Sequence, residues 1–343
     1  MNKFNISDIS GVAVHHVGVK YEEEGILISR SLLNLTPSLK ETLLKYFVSS
    51  FKSDEYFSFT HSVDLNLNEV YTFVSEIFQN SLNLHENSIK LVKHLYQCSE
   101  HPNIKSGEFY TVHFPECFFE GYQTEAIGLF KSESRETYID VIADRDALKV
   151  ESYEGFNINK IDRGCLIFNI PDDQGFVIAL CNGTKKEDSV YWNEDFLGII
   201  PRKDNYHNTQ NVLSLYKSFI TNNLPTNANI SSAEKAVLLN KSLQYFKDND
   251  HFNLEEFNHK VLESSELIDQ FHEFKDNNIH KFNFSEEFLI SEKALVKQKR
   301  AYKKVLKLDR NFEIHISGNQ DLFEKGVDSD GRKYYKFYYN QEL

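Results

Sequence analysis

Cysteine is scarce in this 343-residue chain, which has only Cys98, Cys117, Cys165 and Cys181. They lie far apart, with no C-x-x-C pair and no histidine at ligand spacing beside them, so neither a disulfide framework nor a zinc site is indicated. They are expected to be reduced and buried. Long apolar runs are missing as well. The longest, such as Gly175 to Leu180, are strand-sized, far short of the roughly 20 residues a membrane span needs. The opening MNKFNISDIS lacks the apolar stretch of a secretory signal, so the expected location is the cytoplasm, with no membrane partner. G-x-x-x-x-G-K-[ST], G-x-G-x-x-G, G-x-S-x-G and H-E-x-x-H are also lacking, which removes the usual cues for nucleotide binding, serine hydrolysis and zinc proteolysis. Gly183-Thr184-Lys185-Lys186 is a polar turn without the rest of a phosphate loop, and no cofactor is indicated.

What is abundant is apolar and aromatic. Hydrophobic residues make up 41% and aromatics 14%, with 28 Phe and 18 Tyr, a composition that folds rather than stays disordered. The formal net charge is -13, unevenly placed. Residues 291 to 343 carry 12 Lys/Arg against 8 Asp/Glu, a net +4, leaving 26 against 43, a net -17, for residues 1 to 290. A polyanion would be repelled by such a body everywhere except at a segregated basic patch, so any nucleic-acid site must be local.

The pattern predicts an α+β protein in three parts: an α+β domain over 1–205, a helical module over 206–282, and a short helix plus a C-terminal antiparallel β-meander over 283–343. GVAVHHVGVKYEEEGILIS reads as a hairpin. Thr36-Pro37 opens a helix as N-cap and first turn, with Leu39, Leu43, Leu44, Phe47 and Val48 at helical spacing. Helices follow over Leu67–Phe78 and Glu86–Cys98. From Gly107 the period moves toward two, and strand-like runs separated by turns imply a largely antiparallel sheet with the three helices on one face. Helices are then expected over Asn211–Leu224, Ser232–Lys247, Leu254–Leu262 and Glu266–Lys275, and another, capped by Ser291, in ISEKALVKQKR. Last come strands around Asp309-Arg310-Asn311 and after an Asp330-Gly331 turn.

Several residues invite a chemical reading and lose it to a plainer one. His15 and His16 are strand neighbours pointing to opposite faces, so they do not chelate one ion together. Asp140, Asp144, Asp146 and Glu151 with Lys149 have the residue types of a metal-dependent nuclease. Acids are 51 of 343 residues, though, and such coincidences are expected. Trp192, the one tryptophan, reads as core. No catalytic residue and no metal site are assigned, and the chain is read as a non-enzyme.

The basic stretch is different. From Lys293 to Arg310 the chain carries Lys293, Lys297, Lys299, Arg300, Lys303, Lys304, Lys307 and Arg310 against Asp309 alone, a local +7. With Arg332, Lys333 and Lys336 nearby, these are the candidate DNA-binding residues, suited to phosphate contact without base reading. Tyr302, Tyr334 and Tyr335 are candidate stacking platforms, with packing as the commoner role of such tyrosines.

LDRNFEIHISGN followed by FEKGVDSDGRKYYKFYYNQEL resembles the C-terminal end of bacterial nucleoid-associated proteins of the NdpA/YejK group. ISGVAVHHVG near the start and GFVIALCNGTKKEDSVYWNEDFLGIIPRKDNYHNTQNVLSLYKSFI in the middle are similar too, so the resemblance spans nearly the whole chain. It implies a cytoplasmic, nucleoid-located, non-enzymatic DNA-associated protein. The family brings no defined set of functional residues, so the basic patch stands on charge alone. The reading is low-specificity DNA association, on duplex rather than single strands. An adaptor docking on DNA-bound proteins is the alternative, and a metal-dependent nuclease the third. A homodimer is expected, because the aromatic KYYKFYY leaves a strand edge to be covered.

Overall fold

The structure is a computed structural model, and it describes residues 4–52, 54–144, 147–170, 175–181, 190–224, 232–302, 305–308, 312–315, 323–339 and 341. It divides into two compact units, Met1–Arg202 and Lys203–Leu343. The α+β class holds.

Unit 1 runs β1 (Phe4–Ile6), β2 (Gly11–Val17), β3 (Ile26–Ile28), α1 (Pro37–Val48), β4 (Tyr56–Phe59), α2 (Glu69–Gln79), α3 (Leu84–Cys98), β5 (Gly107–Phe119), β6 (Tyr122–Ser132), β7 (Glu136–Asp144), β8 (Ala147–Gly155), β9 (Arg163–Phe168), β10 (Val177–Leu180) and β11 (Ile199–Pro201). Nine of these strands form one sheet in the order β11-β4-β10-β9-β6-β5-β2-β3, with β1 also on β5. Every pairing in it is antiparallel. The β5–β6 register shifts between Phe114 and Cys117. Pro115 sits in that break, where it has no N–H to give the ladder. Beyond it β5 pairs with β1 instead of β2.

The helices cover both faces of the sheet, which corrects the expectation of one. Leu129, Cys165, Ile167 and Ile178 share a core with Val70 and Val74 of α2 and Leu91 and Leu95 of α3. Phe130, Leu166, Phe168 and Ala179 share another with Tyr46 and Phe47 of α1. The physical reason lies in the central strands: β9 is buried at all six positions, and a strand covered on both faces reads as a continuous apolar run. Phe47 stacks on Phe130 with centroids 4.5 Å apart. A Cβ on Gly128 or Gly164 would come within 2.4 or 2.6 Å of the Phe130 ring, so both glycines make room for it.

Two adjacent histidines on β2 show how far the faces differ. His15 is buried, its Nδ1 accepting the Ser29 N–H at 3.1 Å and its Nε2 2.9 Å from the Ser88 hydroxyl. With Nδ1 an acceptor, the proton of the neutral ring sits on Nε2. Burial first, then nearby His85, lowers the pKa to about 4 from 6.5. His16 instead points outward, 3.7 Å from Glu108, a partner remote in sequence. Because unfolding releases His15 to its ordinary value, the unfolded chain takes up the proton first, and stability must fall as pH drops from 6.5 toward 4. At about 1.4 kcal/mol per unit, roughly 2 kcal/mol is gone by pH 5. Urea unfolding of the parent and of His15→Gln at pH 8 and pH 5 should show that much less acid sensitivity in the variant. Equal sensitivity would mean His15 is solvated.

Unit 2 contains α4 (Asn205–Ser218), extended by a π-helical turn at Phe219–Asn223, then α5 (Ser232–Asp248), β12 (His251–Asn253), α6 (Leu254–Val261), α7 (Ser265–Asn277), β13 (Glu287–Leu289) and α8 (Glu292–Ala301). Beyond these lie β14 (Val305–Leu308), β15 (Phe312–His315), β16 (Phe323–Val327) and β17 (Lys333–Phe337). β12–β13, β14–β15 and β16–β17 are separate antiparallel ladders. The core is aromatic, with Tyr216, Phe219, Phe246, Phe252, Phe257, Phe271 and Phe288 joined by Leu295 and Tyr302 from the α8 segment.

Candidate nucleic-acid interface

The basic stretch begins on α8. Ser291 caps this helix, accepting the Ala294 N–H at 3.4 Å, and Glu292 occupies the first turn, where the helix dipole favours an acid. Ala294, Leu295 and Tyr302 are buried, which fixes the helix by its inner side. Lys293, Lys297 and Lys299 are exposed. Lys293 and Lys297 are one turn apart, and position 300 continues the same stripe by helical spacing. The Lys297 ammonium also lies 5.5 Å from the Tyr206 ring centroid. Anchoring one side while presenting lysines on the other gives a charged face of defined geometry.

The remaining candidates fall on other elements. Lys307 lies on β14 opposite Glu313 of β15, so its register neighbour is an acid. On β17, Lys333 and Lys336 are both exposed, but three positions apart they project from opposite faces of a two-stranded ribbon. Lys336 has its ammonium 4.8 Å from the Tyr338 ring centroid. Arg332 is 3.0 Å from Asp330 and 3.3 Å from Asp328, two carboxylates that offset its charge. Gly331, with φ of 78°, makes the turn that brings these acids back onto it. Lys303, Lys304 and Arg310 lie outside the described residues, as does the Gly183–Lys186 turn. Among the described candidates, Lys293 and Lys297 therefore come together one turn apart on α8, and Lys307, Arg332, Lys333 and Lys336 fall elsewhere.

Tyr302 is withdrawn from the candidate stacking platforms. It is 3% exposed, its hydroxyl donates to the Leu213 carbonyl, and burial raises its pKa. Lys217 of α4 is a cation the sequence reading missed, its ammonium 5.9 Å from the Tyr302 ring centroid. Nothing in the sequence signals that proximity, because the lysine stands as a lone cation in LSLYKSFI, far from the basic stretch.

The acidic cluster takes the form of a hairpin. Asp140 on β7 pairs in register with Glu151 on β8, Lys149 and Tyr153 both hydrogen-bond Glu151, and Asp146 lies outside the described residues. Among the described residues no group of three or more His, Cys, Asp or Glu is placed to hold a metal ion. Cys98 is half-buried, and the other three cysteines are buried and unpaired. Burial pushes the Cys98 thiol up to about 11 and Cys117 up to about 12. Trp192 is core, 1% exposed. Among the described residues no helix is long and apolar enough to cross a membrane.

The family model described as nucleoid-associated protein YejK matches residues 14–332, spanning both units. No curated protein sequence matches the chain.

Proposed function

The chain belongs to the nucleoid-associated protein YejK family, and from that premise we propose that it associates with DNA directly, without a chemical step, through the lysine face of α8. The observation that carries this reading is the exposure of Lys293 and Lys297, one turn apart on a helix whose inner side is locked into the core, with Lys299 exposed on its flank. Lys333 and Lys336 add charge from β17, and Arg300, Lys303, Lys304, Lys307 and Arg310 are included on sequence grounds. Arg332 ranks last, since Asp328 and Asp330 already engage it. Lysines meet phosphates as mobile point charges and release counterions without reading bases. The burial of Tyr302 removes one base-stacking surface and favours duplex over single strands. The proposed setting is the cytoplasm, on the nucleoid, as a homodimer.

The acidic remainder of the chain favours one second reading, an adaptor that docks on basic DNA-bound proteins. Fluorescence anisotropy with bare duplex DNA at moderate salt separates the two. Binding without a partner, with the DNA intact after incubation with magnesium, manganese or zinc, is the expected result. Binding only when a DNA-bound protein is added would support the adaptor. Cleavage lost in Asp140→Asn would support a nuclease.

A further inference from the structure

The geometry points to the β7–β8 hairpin as a self-docking arm, its apolar face stacked on the same face of a second copy of this chain. β7 and β8 pair only with each other among the described strands. They leave the main sheet between two of its neighbouring strands, β6 and β9. Nine residues per strand make an arm roughly 30 Å long. Its root is held firmly. Asp162 accepts the Glu133 and Ser134 N–H groups at 2.8 and 2.9 Å and the Ser134 hydroxyl at 2.8 Å, and the Arg135 guanidinium lies 4.8 Å from the Phe156 ring centroid.

The two faces of the arm differ. One carries Ile139, Val141 and Ala143 from β7, paired in register with Ser152, Val150 and Leu148 from β8. Ile139 is 71% exposed, Val141 55%, Leu148 73% and Val150 63%. The charged Asp140, Lys149 and Glu151 alternate onto the other face with Tyr138, Ile142 and Tyr153, while Thr137 and Glu154 end the aliphatic face one row beyond Ile139 and Ser152. An aliphatic ladder this exposed on a soluble protein marks a contact surface.

Self-complementarity identifies the occupant as a second copy. Consider a two-fold axis lying in the interface, running across the strands through the Val141–Val150 row. It sets Ile139 over the partner's small Ala143 and Leu148 over the partner's small Ser152, while Val141 and Val150 each meet their own copies. Large side chains then fill the space above small ones at both ends, as interdigitating sheet faces require. The same rotation keeps Asp140, Lys149 and Glu151 of both copies on the outer faces, and Glu154 falls at the end of the aliphatic ladder rather than within it. Area agrees: four aliphatic side chains at these exposures present on the order of 100 Å² each. That approaches the roughly 500 Å² of apolar surface each partner contributes to a standard homodimer interface.

The inference locates the homodimer contact of the proposed function, and its test reads mass rather than DNA binding, so either can fail alone. Light scattering of the full chain without DNA, from about 1 to 100 µM, should show a mass rising from 40.1 kDa toward twice that value. Val141→Glu/Val150→Glu, at exposed positions that leave the fold intact by circular dichroism, should weaken dimerisation at least ~100-fold, because the rotation sets each carboxylate against its own copy. Val150→Cys should be joined to its own copy by a short bis-maleimide cross-linker, since stacked sheets hold the two backbones about 10 Å apart, beyond disulfide reach, and Asp140→Cys, on the other face, should not exceed the parent. A parent that stays at 40.1 kDa throughout, or a double glutamate variant that dimerises like the parent, would overturn the arm.

Discussion

Glu133→Gln is expected to lower the unfolding free energy by about 3–5 kcal/mol, the range for breaking a buried ion pair from one side. Glu133 holds two cations at once: the Lys131 ammonium at 3.0 Å and the Arg163 Nε at 3.2 Å, with side chains 0% and 8% exposed. The Tyr191 hydroxyl donates to the same carboxylate at 3.2 Å, and the Arg163 guanidinium lies 4.7 Å from the Tyr191 ring centroid. Burial already lowers the Lys131 pKa, and Glu133, ahead of Asp162, opposes that shift. Without the carboxylate the Lys131 pKa falls further in the folded state, while the unfolded chain keeps its proton up to about 10.5. The unfolded state then binds more protons, so the deficit of the variant should shrink as pH rises toward that value. Urea unfolding at pH 7 and pH 9.5 measures both effects. A loss below about 1 kcal/mol, the usual worth of an exposed pair, would mean the cluster is solvated. Glu108→Gln, which removes the partner of a half-exposed Arg135, supplies that comparison.

Most of the secondary structure was legible because local signals were strong. Thr36 and Pro37 open α1 as read, with Thr36 accepting the Leu39 N–H at 3.3 Å, and Ser291 caps α8. Where the reading slipped, the signal was non-local or ambiguous. The helix expected from Asn211 begins six residues earlier, because Asp204 accepts the His207 N–H at 2.9 Å and starts α4 at Asn205. A capping aspartate and a loop aspartate look alike without the N–H it meets. The double-sided sheet was missed because a continuous apolar run such as CLIF does not say which helices cover it. The Lys131–Glu133–Arg163 cluster and the approach of Lys217 to Tyr302 depend on tertiary proximity, which neither periodicity nor composition carries. Charge segregation was visible in the sequence, but the division of the lysines between an anchored helix face and a two-sided ribbon was not.

Replacing Lys293, Lys297 and Lys299 together with Gln is expected to weaken duplex binding by about 100-fold at physiological salt. Each released counterion contributes roughly a factor of five at 0.15 M, so three contacts multiply to that order. The fold should survive, since all three side chains are exposed and surface substitutions usually change stability by about 0.5 kcal/mol or less. The matched control is Lys40, Lys45 and Lys52 to Gln, which removes the same charge from the α1 region of unit 1. It should bind like the parent. Equal losses in both triple variants would mean that total charge, not the α8 face, governs binding.

The measurement that tests the central claim most directly is the salt dependence of duplex binding in the parent and the α8 variant. With four to six cations on phosphates, log K against log salt should fall with a slope of roughly -4 to -5 in the parent. Losing the three α8 lysines should flatten it by about two to three units, and the α1 control should leave it unchanged. A variant whose slope equals the parent's would contradict the account, and the adaptor reading would take its place.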